Sequence, residues 1–302
     1  MSSTTWPNLS TAVKSHHPFE EPDIEQSPPL YSELDPESEK NFDHYLNLYL
    51  NKEDVSIVRK LSKFHIIVFI MDDIDMNFQV SNTETGWDEM LKIMIPVINI
   101  SGSLYPNGIT VHFLNRLCTS NSRFLEGIKS FHQIQNLFVA KPSGPSIMCN
   151  RLKEIFDQCP TDQQSVVILA MSSIPSDGGA SVTEFNKAYT KFRNILETRG
   201  GSTSQEIKDR VQSIFISILI CTDDNGIAKY FRWLDQKLKN VDVTDDLKTT
   251  RAAIEKQYKK QHRWQIFSKE KNAKQASELF NLKKLYAKVL CPFSKELDNL
   301  DG

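Results

Sequence analysis

The chain has 302 residues, of which 39% are hydrophobic and 25% are charged, and its formal net charge is −2. These values are typical of a globular protein and exclude a strongly basic or acidic polyelectrolyte. Because no run approaches the roughly 18 apolar residues of a membrane helix, and residues 1–14 lack the apolar core of a secretory signal, we expect a cytoplasmic or nuclear protein.

Residues 1–40 form an acidic segment rich in Ser, Thr and Pro. With few aliphatic side chains they cannot bury enough apolar surface to offset the entropy of ordering, so we predict that this segment is disordered. It contains a P-P-x-Y motif made by Pro28, Pro29 and Tyr31. WW domains bind such ligands as a preformed polyproline II helix. A WW-domain partner and a plain linker are both compatible with the motif.

Residues 41–247 alternate between apolar runs and amphipathic helical patterns. The runs predict strands at 65–71, 109–114, 165–171 and 213–220. Helical spacing of apolar residues predicts helices at about 54–61, 86–100, 131–139, 145–158, 181–197 and 225–239, with an earlier one beginning near 42. Gly102 is expected to end the helix predicted at about 86–100. The alternation predicts an α/β fold: a doubly wound, mostly parallel sheet with helices on both faces.

Residues 248–302 form a basic extension with a long helical pattern. An apolar stripe that begins at Leu279 and ends at Leu290 favours packing on the domain. The alternative is peripheral contact with an anionic membrane surface through the lysine-rich face. We predict no specific binding of nucleic acid.

The strand at 65–71 ends in a polar stretch that begins with Asp72 and Asp73. In open α/β sheets, ligands bind outside the carboxyl ends of the strands, so these carboxylates are either ligand-binding groups or turn residues. Neither a Gly-rich phosphate loop nor a G-x-S-x-G nucleophile elbow occurs in the chain. Nucleotide binding of the Rossmann or P-loop kind and α/β-hydrolase chemistry are therefore not expected.

Four segments resemble the von Willebrand factor A (vWA) domain, most closely a group of fungal intracellular vWA proteins. Val68–Met76 is similar to V-F-L-I-D-D-S-G-S, Gly108–Asn115 to G-I-x-V-H-F-L-N, Pro142–Ser146 to P-x-G-x-T, and Val167–Asp177 to V-I-x-I-T-D-G-E-P-T-D. The match covers about residues 55–247. It implies a Rossmann-like fold that binds protein partners.

The resemblance also implies a metal-ion-dependent adhesion site that holds Mg²⁺ through D-x-S-x-S, a Thr and an Asp. Carried over to this chain, the first Asp is Asp72 and the Thr is Ser146, which keeps a hydroxyl. The two Ser positions fall on Ile74 and Met76, and the last Asp on Ser172. Isoleucine has no side-chain oxygen, and a thioether is a poor ligand for Mg²⁺. The site is therefore degenerate.

A shift by one residue gives a second candidate ligand set, Asp73, Asp75 and Asn77, in which every side chain has an oxygen. It still lacks a carboxylate from the third loop. We expect these residues to cap the turn into the next helix instead of holding a cation, so no cofactor is predicted, with Mg²⁺ as the alternative.

The sequence thus favours a non-enzymatic protein-interaction domain. Its partner would bind at the carboxyl edge of the sheet through the loops at 72–86, 141–147 and 172–181, which contain Ser146 and Ser172. One alternative is an adapter that acts through the P-P-x-Y and basic segments, with the vWA-like domain as a scaffold. Another is an unrecognised hydrolase or transferase in the same crevice.

Overall fold

The computed structural model describes residues 50, 52–80, 84–105, 107–175, 182–244 and 284–292. The predicted disordered segment, the P-P-x-Y motif and residues 248–283 of the basic extension lie outside these ranges. The strands are β1 His65–Ile70, β2 Ile109–Phe113, β3 Phe124–Ile128, β4 Ser165–Met171, β5 Ile214–Ile220 and β6 Val241–Thr244. The helices are α1 Lys52–Val58, α2 Gly86–Leu104, α3 Cys149–Gln158, α4 Val182–Thr198, α5 Ser204–Ser213 and α6 Asn225–Lys237. Among the described residues, no helix is both long and apolar enough to cross a membrane.

The six strands form one sheet in the order β3-β2-β1-β4-β5-β6, in which only β3 is antiparallel to its neighbour. Strand β1 is central: Ile67 pairs with Thr110 on one side and Val167 on the other. All residues of β1 from Ile66 to Ile70 are buried, as expected for a parallel strand covered on both faces. The predicted mostly parallel α/β fold is confirmed.

The direction of winding reverses between β1 and β4. From β1 the chain moves outward to β2 and β3, then returns to the other side of β1 and continues through β4, β5 and β6. Right-handed crossovers therefore place α2 on one face and α4 and α6 on the other. Helix α3 packs against α4. Ring contacts join α4 to α6, through Tyr189 with Tyr230 and Phe192 with Phe231.

Helix α2 begins as the sequence predicts but ends later. Thr85 caps its start, and the side chain of Asp88 completes a capping box. The prediction that Gly102 stops the helix is wrong, because the helix continues to Leu104. Gly102 is buried, and a Cβ at this position would lie 2.6 Å from the carbonyl oxygen of Lys129. The glycine lets the backbone that follows β3 pack directly against the helix.

Two strands and one α-helix were not predicted. Strand β3 contains exposed Glu126 and Gly127 and has no clean alternation. Helix α5 has no buried residue and so no apolar stripe, and β6 has only 4 residues. Each is specified mainly by its neighbours in the fold.

The described end of the basic extension packs on the domain. Residues 284–290 are helical, and Leu285 and Leu290 are buried. The Lys284 ammonium lies 2.6 Å from the carboxylate of buried Asp54 in α1, and Lys288 donates to the carbonyl oxygen of Val243 in β6. This segment is therefore part of the folded domain.

Candidate functional site

The polar residues after β1 lie at the reversal point of the sheet, where ligands bind in open α/β folds. The loop after β1 contacts the segment that precedes α3 through two backbone hydrogen bonds. Ser143 N donates to Asp72 O at 3.1 Å, and Ile74 N donates to Gly144 O at 3.0 Å. Gly144 has a φ of +94°, which an L side chain rarely adopts. Glycine at this position allows the two loops to meet.

Asp72 is buried and fully engaged within the protein. Its Oδ1 accepts from the backbone N–H of Asn115 at 2.8 Å, and its Oδ2 accepts from the backbone N–H and the Nε of Arg116 at 2.9 and 2.8 Å. Both partners follow β2, so Asp72 ties the carboxyl end of β1 to that of β2. These charge-assisted bonds are stronger than bonds between neutral groups.

Arg116 extends this connection to a third segment. Its Nη1 donates to the carbonyl oxygen of Leu137, and its Nη2 donates to that of Ala140 at 3.2 Å. The guanidinium also lies over the ring of Trp87 in α2, 4.8 Å from its centre. Asp72 and Arg116 together connect the loops that follow β1 and β2 with the end of the 3₁₀ helix Phe131–Phe138.

Asp73 belongs to a different group, which we call the Asp73 cluster: Asp73, Asp75, Ser146 and Ser173. Ser146 Oγ lies 2.6 Å from Asp73 Oδ2, 3.1 Å from Asp75 Oδ2 and 3.2 Å from Ser173 Oγ. The other oxygen of Asp73, Oδ1, caps the short 3₁₀ helix Ile74–Asn77 by accepting from the N–H groups of Asp75 and Met76. The cluster therefore joins the loop after β1, the segment before α3 and the end of β4.

Burial raises the pKa of the Asp73 carboxyl to about 7. Hydrogen bonds from Ser146 and from the backbone N–H groups of Met76 and Asp75 act in the opposite direction, while the negative charge of Asp75 adds to the rise. Near neutral pH the acid form of Asp73 is therefore substantially populated. In that form Asp73 can donate to Ser146, which is then free to donate to Asp75.

The structure brings together only some of the predicted site residues. Ser146 meets Asp73 and Asp75 of the shifted set, but it makes no hydrogen bond with Asp72 among the described residues. Ser172 is buried, and its hydroxyl has no hydrogen-bond partner in the described part of the chain. Pro28, Pro29 and Tyr31 lie outside the described residues.

Sequence reasoning missed Ser173 and Arg116. Ser173 follows Ser172 directly, and the one-residue shift that selected Asp73 over Asp72 in the first loop would have selected it in the third. No pattern in the sequence distinguishes Arg116 from the other basic residues, because its role depends on meeting Asp72 across 44 positions.

The carboxylate of Asp72 does not fit the role of a Mg²⁺ ligand. Both of its oxygens already accept hydrogen bonds, and the Arg116 guanidinium that contacts it would repel a dication. The Asp73 cluster supplies oxygen atoms, the ligand type that Mg²⁺ prefers, but they are hydrogen-bonded to one another. Among the described residues, no group of three or more His, Cys, Asp or Glu side chains is placed to hold a metal ion.

The segments that carry these two polar groups also carry strongly exposed large hydrophobic side chains. We call them the apolar rim, and their exposed fractions range from 55% to 83%: Ile74, Phe78, Leu117, Val139 and Ile147. Ile74 and Phe78 belong to the segment after β1 that contains the 3₁₀ helix Ile74–Asn77, and Leu117 follows β2. Val139 directly follows a second 3₁₀ helix, Phe131–Phe138, and Ile147 precedes α3. Isolated exposed hydrophobic residues are common, but a set gathered at one edge of a domain is typical of an interaction surface.

No model of a known protein family matches the chain. No curated protein matches it at a significant level.

Proposed function

We propose that this protein is a non-enzymatic protein-interaction domain that binds a partner at the carboxyl edge of its sheet. The apolar rim is the observation that carries the proposal. Among the described residues, the strongly exposed large hydrophobic side chains are the five of the apolar rim. Hydrogen bonds join the segments that carry them at this edge, from Ile74 N–H to Gly144 O and from Arg116 Nη2 to Ala140 O. Burying them against a partner would contribute roughly 25 cal/mol for each Å² of apolar surface removed from water.

Buried polar contacts beneath the surface fix the loops that carry the apolar rim. Asp72 and Arg116 fix the loops after β1 and β2, and Ser146 joins the segment before α3 to Asp73. A surface fixed before binding loses little entropy on association, which favours affinity. In this proposal the carboxylates support the surface and no bridging cation is needed.

The resemblance to vWA domains also supports partner binding at the carboxyl edge of the sheet, because it implies a partner site at that edge. Catalysis by the Asp73 cluster is disfavoured by its burial: Asp73, Ser146 and Ser173 are all buried, so a substrate has little access to their oxygens. The cluster also contains no histidine that could serve as a general base.

The test introduces charge into the rim of the full-length protein. Proteins captured from a lysate of the source organism by the wild type are compared with those captured by an Ile74→Asp/Ile147→Asp variant. A control variant, Asn107→Asp/Thr161→Asp, adds the same charge at exposed positions near the amino ends of β2 and β4. We expect the rim variant to lose specific partners at least tenfold, which is about 1.4 kcal/mol, and the control to retain them.

The adapter alternative predicts the opposite pattern. Partners would then survive the rim substitutions but disappear after deletion of residues 1–40, or after replacement of the basic residues within 248–283 by Gln. Residues 284–292 must be kept in that variant, because their buried side chains belong to the core. The proposal would be refuted if partner capture depended on residues 1–40 or on the basic residues within 248–283 and did not depend on the apolar rim.

A further inference from the structure

A pocket of about 510 Å³ opens beside the apolar rim, between the loop after β2 and the start of α3. Two rim residues, Leu117 and Ile147, line it together with Arg123, Arg151 and Glu154. Its volume lies within the range of small-ligand sites. The pocket is therefore continuous with the proposed interaction surface but differs from the rest of it in containing cations.

Arg151 is the distinctive group in this pocket. Its Nη1 lies 2.6 Å from Glu154 Oε2, and its side chain is only 15% exposed. Its Nε and Nη2 atoms are buried and have no hydrogen-bond partner among the described residues. Buried donors without an acceptor destabilise the state that contains them, and a carboxylate is the acceptor whose geometry matches a guanidinium.

The charges around the pocket also favour an anion. Arg123 adds a second guanidinium, whose Nη1 donates to the carbonyl oxygen of Leu114 at 3.3 Å. Glu154 is the only acid among the lining residues and is already paired with Arg151. The neighbouring His112 stays neutral, because burial, reinforced by the positive charge of Arg151, lowers its pKa to about 3. Two cations therefore face one anion.

We infer that this pocket binds an acidic side chain of the partner, an Asp or a Glu that stands next to an aliphatic residue. The carboxylate would pair with the guanidinium of Arg123 and, once the Arg151 side chain turns toward the pocket, with the donors of Arg151 that are buried and unused in the free protein, while the aliphatic group packs between Leu117 and Ile147. This inference rests on the proposed function, since it names the chemistry of the segment that docks at the rim. It assigns to Arg151 a role in recognition.

The test uses hexanoate as a probe that combines a carboxylate with an aliphatic chain. Full-length protein labelled with ¹⁵N-arginine and with methyl ¹³C on Leu and Ile is titrated and followed by NMR. We expect saturable shifts at the Arg151 Nε–Hε group and at the methyl groups of Leu117 and Ile147. Hexylamine should cause no such shifts, and 1-hexanol and acetate should bind at least fivefold more weakly, because each lacks one of the two features.

The variant Arg151→Gln should weaken hexanoate binding at least fivefold, whereas Arg59→Gln, at an exposed position in another part of the chain, should leave it unchanged. A thermal unfolding curve and an unchanged methyl spectrum establish that the Gln variant is folded. The inference would be overturned if the Arg151→Gln variant bound hexanoate as tightly as the wild type does. It would also be overturned if the wild type bound hexanol or hexyl phosphate as tightly as hexanoate. The phosphate result would point to a nucleic acid or lipid headgroup instead.

This experiment can fail independently of the proposed function, because the probe needs no partner. If hexanoate binds at Arg151 but capture ignores the rim, the pocket assignment stands and the proposed function is wrong. If capture depends on the rim but hexanoate does not bind, the proposed function stands and the pocket assignment is wrong.

Discussion

Replacing Asp72 by Ala separates the two roles that this residue could have. As a metal ligand at a surface site, it would contribute little to the stability of the protein without metal. As the buried acceptor seen in the structure, it holds the ends of β1 and β2 together through Asn115 and Arg116. The two roles predict different free energies of unfolding for the variant in metal-free buffer.

The expected loss follows from the contacts. Asp72→Ala removes three hydrogen bonds and leaves the N–H groups of Asn115 and Arg116 and the Arg116 guanidinium without their carboxylate. Breaking a buried ion pair from one side typically costs about 3–5 kcal/mol. We expect a value toward the lower end, because Arg116 keeps its bonds to the carbonyl oxygens of Leu137 and Ala140.

Urea unfolding followed by circular dichroism, with EDTA present, measures this loss as a lower midpoint at an unchanged slope. Asp157→Ala is the matched control: this carboxylate also pairs with an arginine, Arg210 at 3.0 Å, but its side chain is 50% exposed. It should cost less than about 1 kcal/mol. If Asp72→Ala also stays within about 1 kcal/mol of the wild type, the structural role assigned to Asp72 is refuted.

Three further predictions concern other parts of the fold. The folded pKa of Asp73, about 7, lies above the ordinary aspartate value of 3.8, so the folded state binds this proton more tightly than the unfolded state does. The stability that Asp73 contributes is therefore complete below about pH 4 and is lost as the pH rises through 7. Between pH 5 and 7.5, the free energy of unfolding measured in urea titrations should therefore fall by about 1–3 kcal/mol more for the wild type than for Asp73→Asn. The same pH dependence of this free energy in both proteins would contradict the prediction. Gly102→Ala should destabilise by about 1–3 kcal/mol despite the higher helix propensity of Ala, because the new Cβ meets the backbone of Lys129; a raised melting temperature would show that the contact relaxes freely. Leu290→Ala should cost about 2–5 kcal/mol in the same assay, whereas a value near zero would mean that residues 284–292 do not belong to the core.

The sequence predicted those elements whose burial is visible in their own residues. Strand β4 is apolar at nearly every position because helices cover both of its faces, so the run itself predicts a strand. Strand β6 and helix α5 carry no such signal: β6 is formed by pairing with β5, and α5 buries no residue. Gly102 shows the same limit, since a glycine that ends a helix and one that admits a neighbouring backbone are identical in a sequence.

The candidate site was predicted in position but not in its connections. Polar residues at the ends of β1 and β4 indicated where a site could lie, and the sequence grouped Ser146 with aspartates of the first loop. In the structure the Ser146 hydroxyl lies 2.6 Å from Asp73. Which aspartate it meets was decided by the turn after β1, where Asp73 is extended with φ −89° and ψ 173°. Consecutive side chains on extended backbone point in opposite directions, so Asp73 faces Ser146 while Asp72 faces Arg116.

By itself, the sequence determined that this protein has an α/β sheet with polar residues at the carboxyl ends of its central strands, because strands buried on both faces leave continuous apolar runs. Only the tertiary structure decided what those polar residues do. Arg116 meets Asp72, and Ser173 meets Asp73, across 44 and 100 positions of the chain. Hydrogen bonds over such separations depend on strand order and loop geometry, which no local pattern encodes.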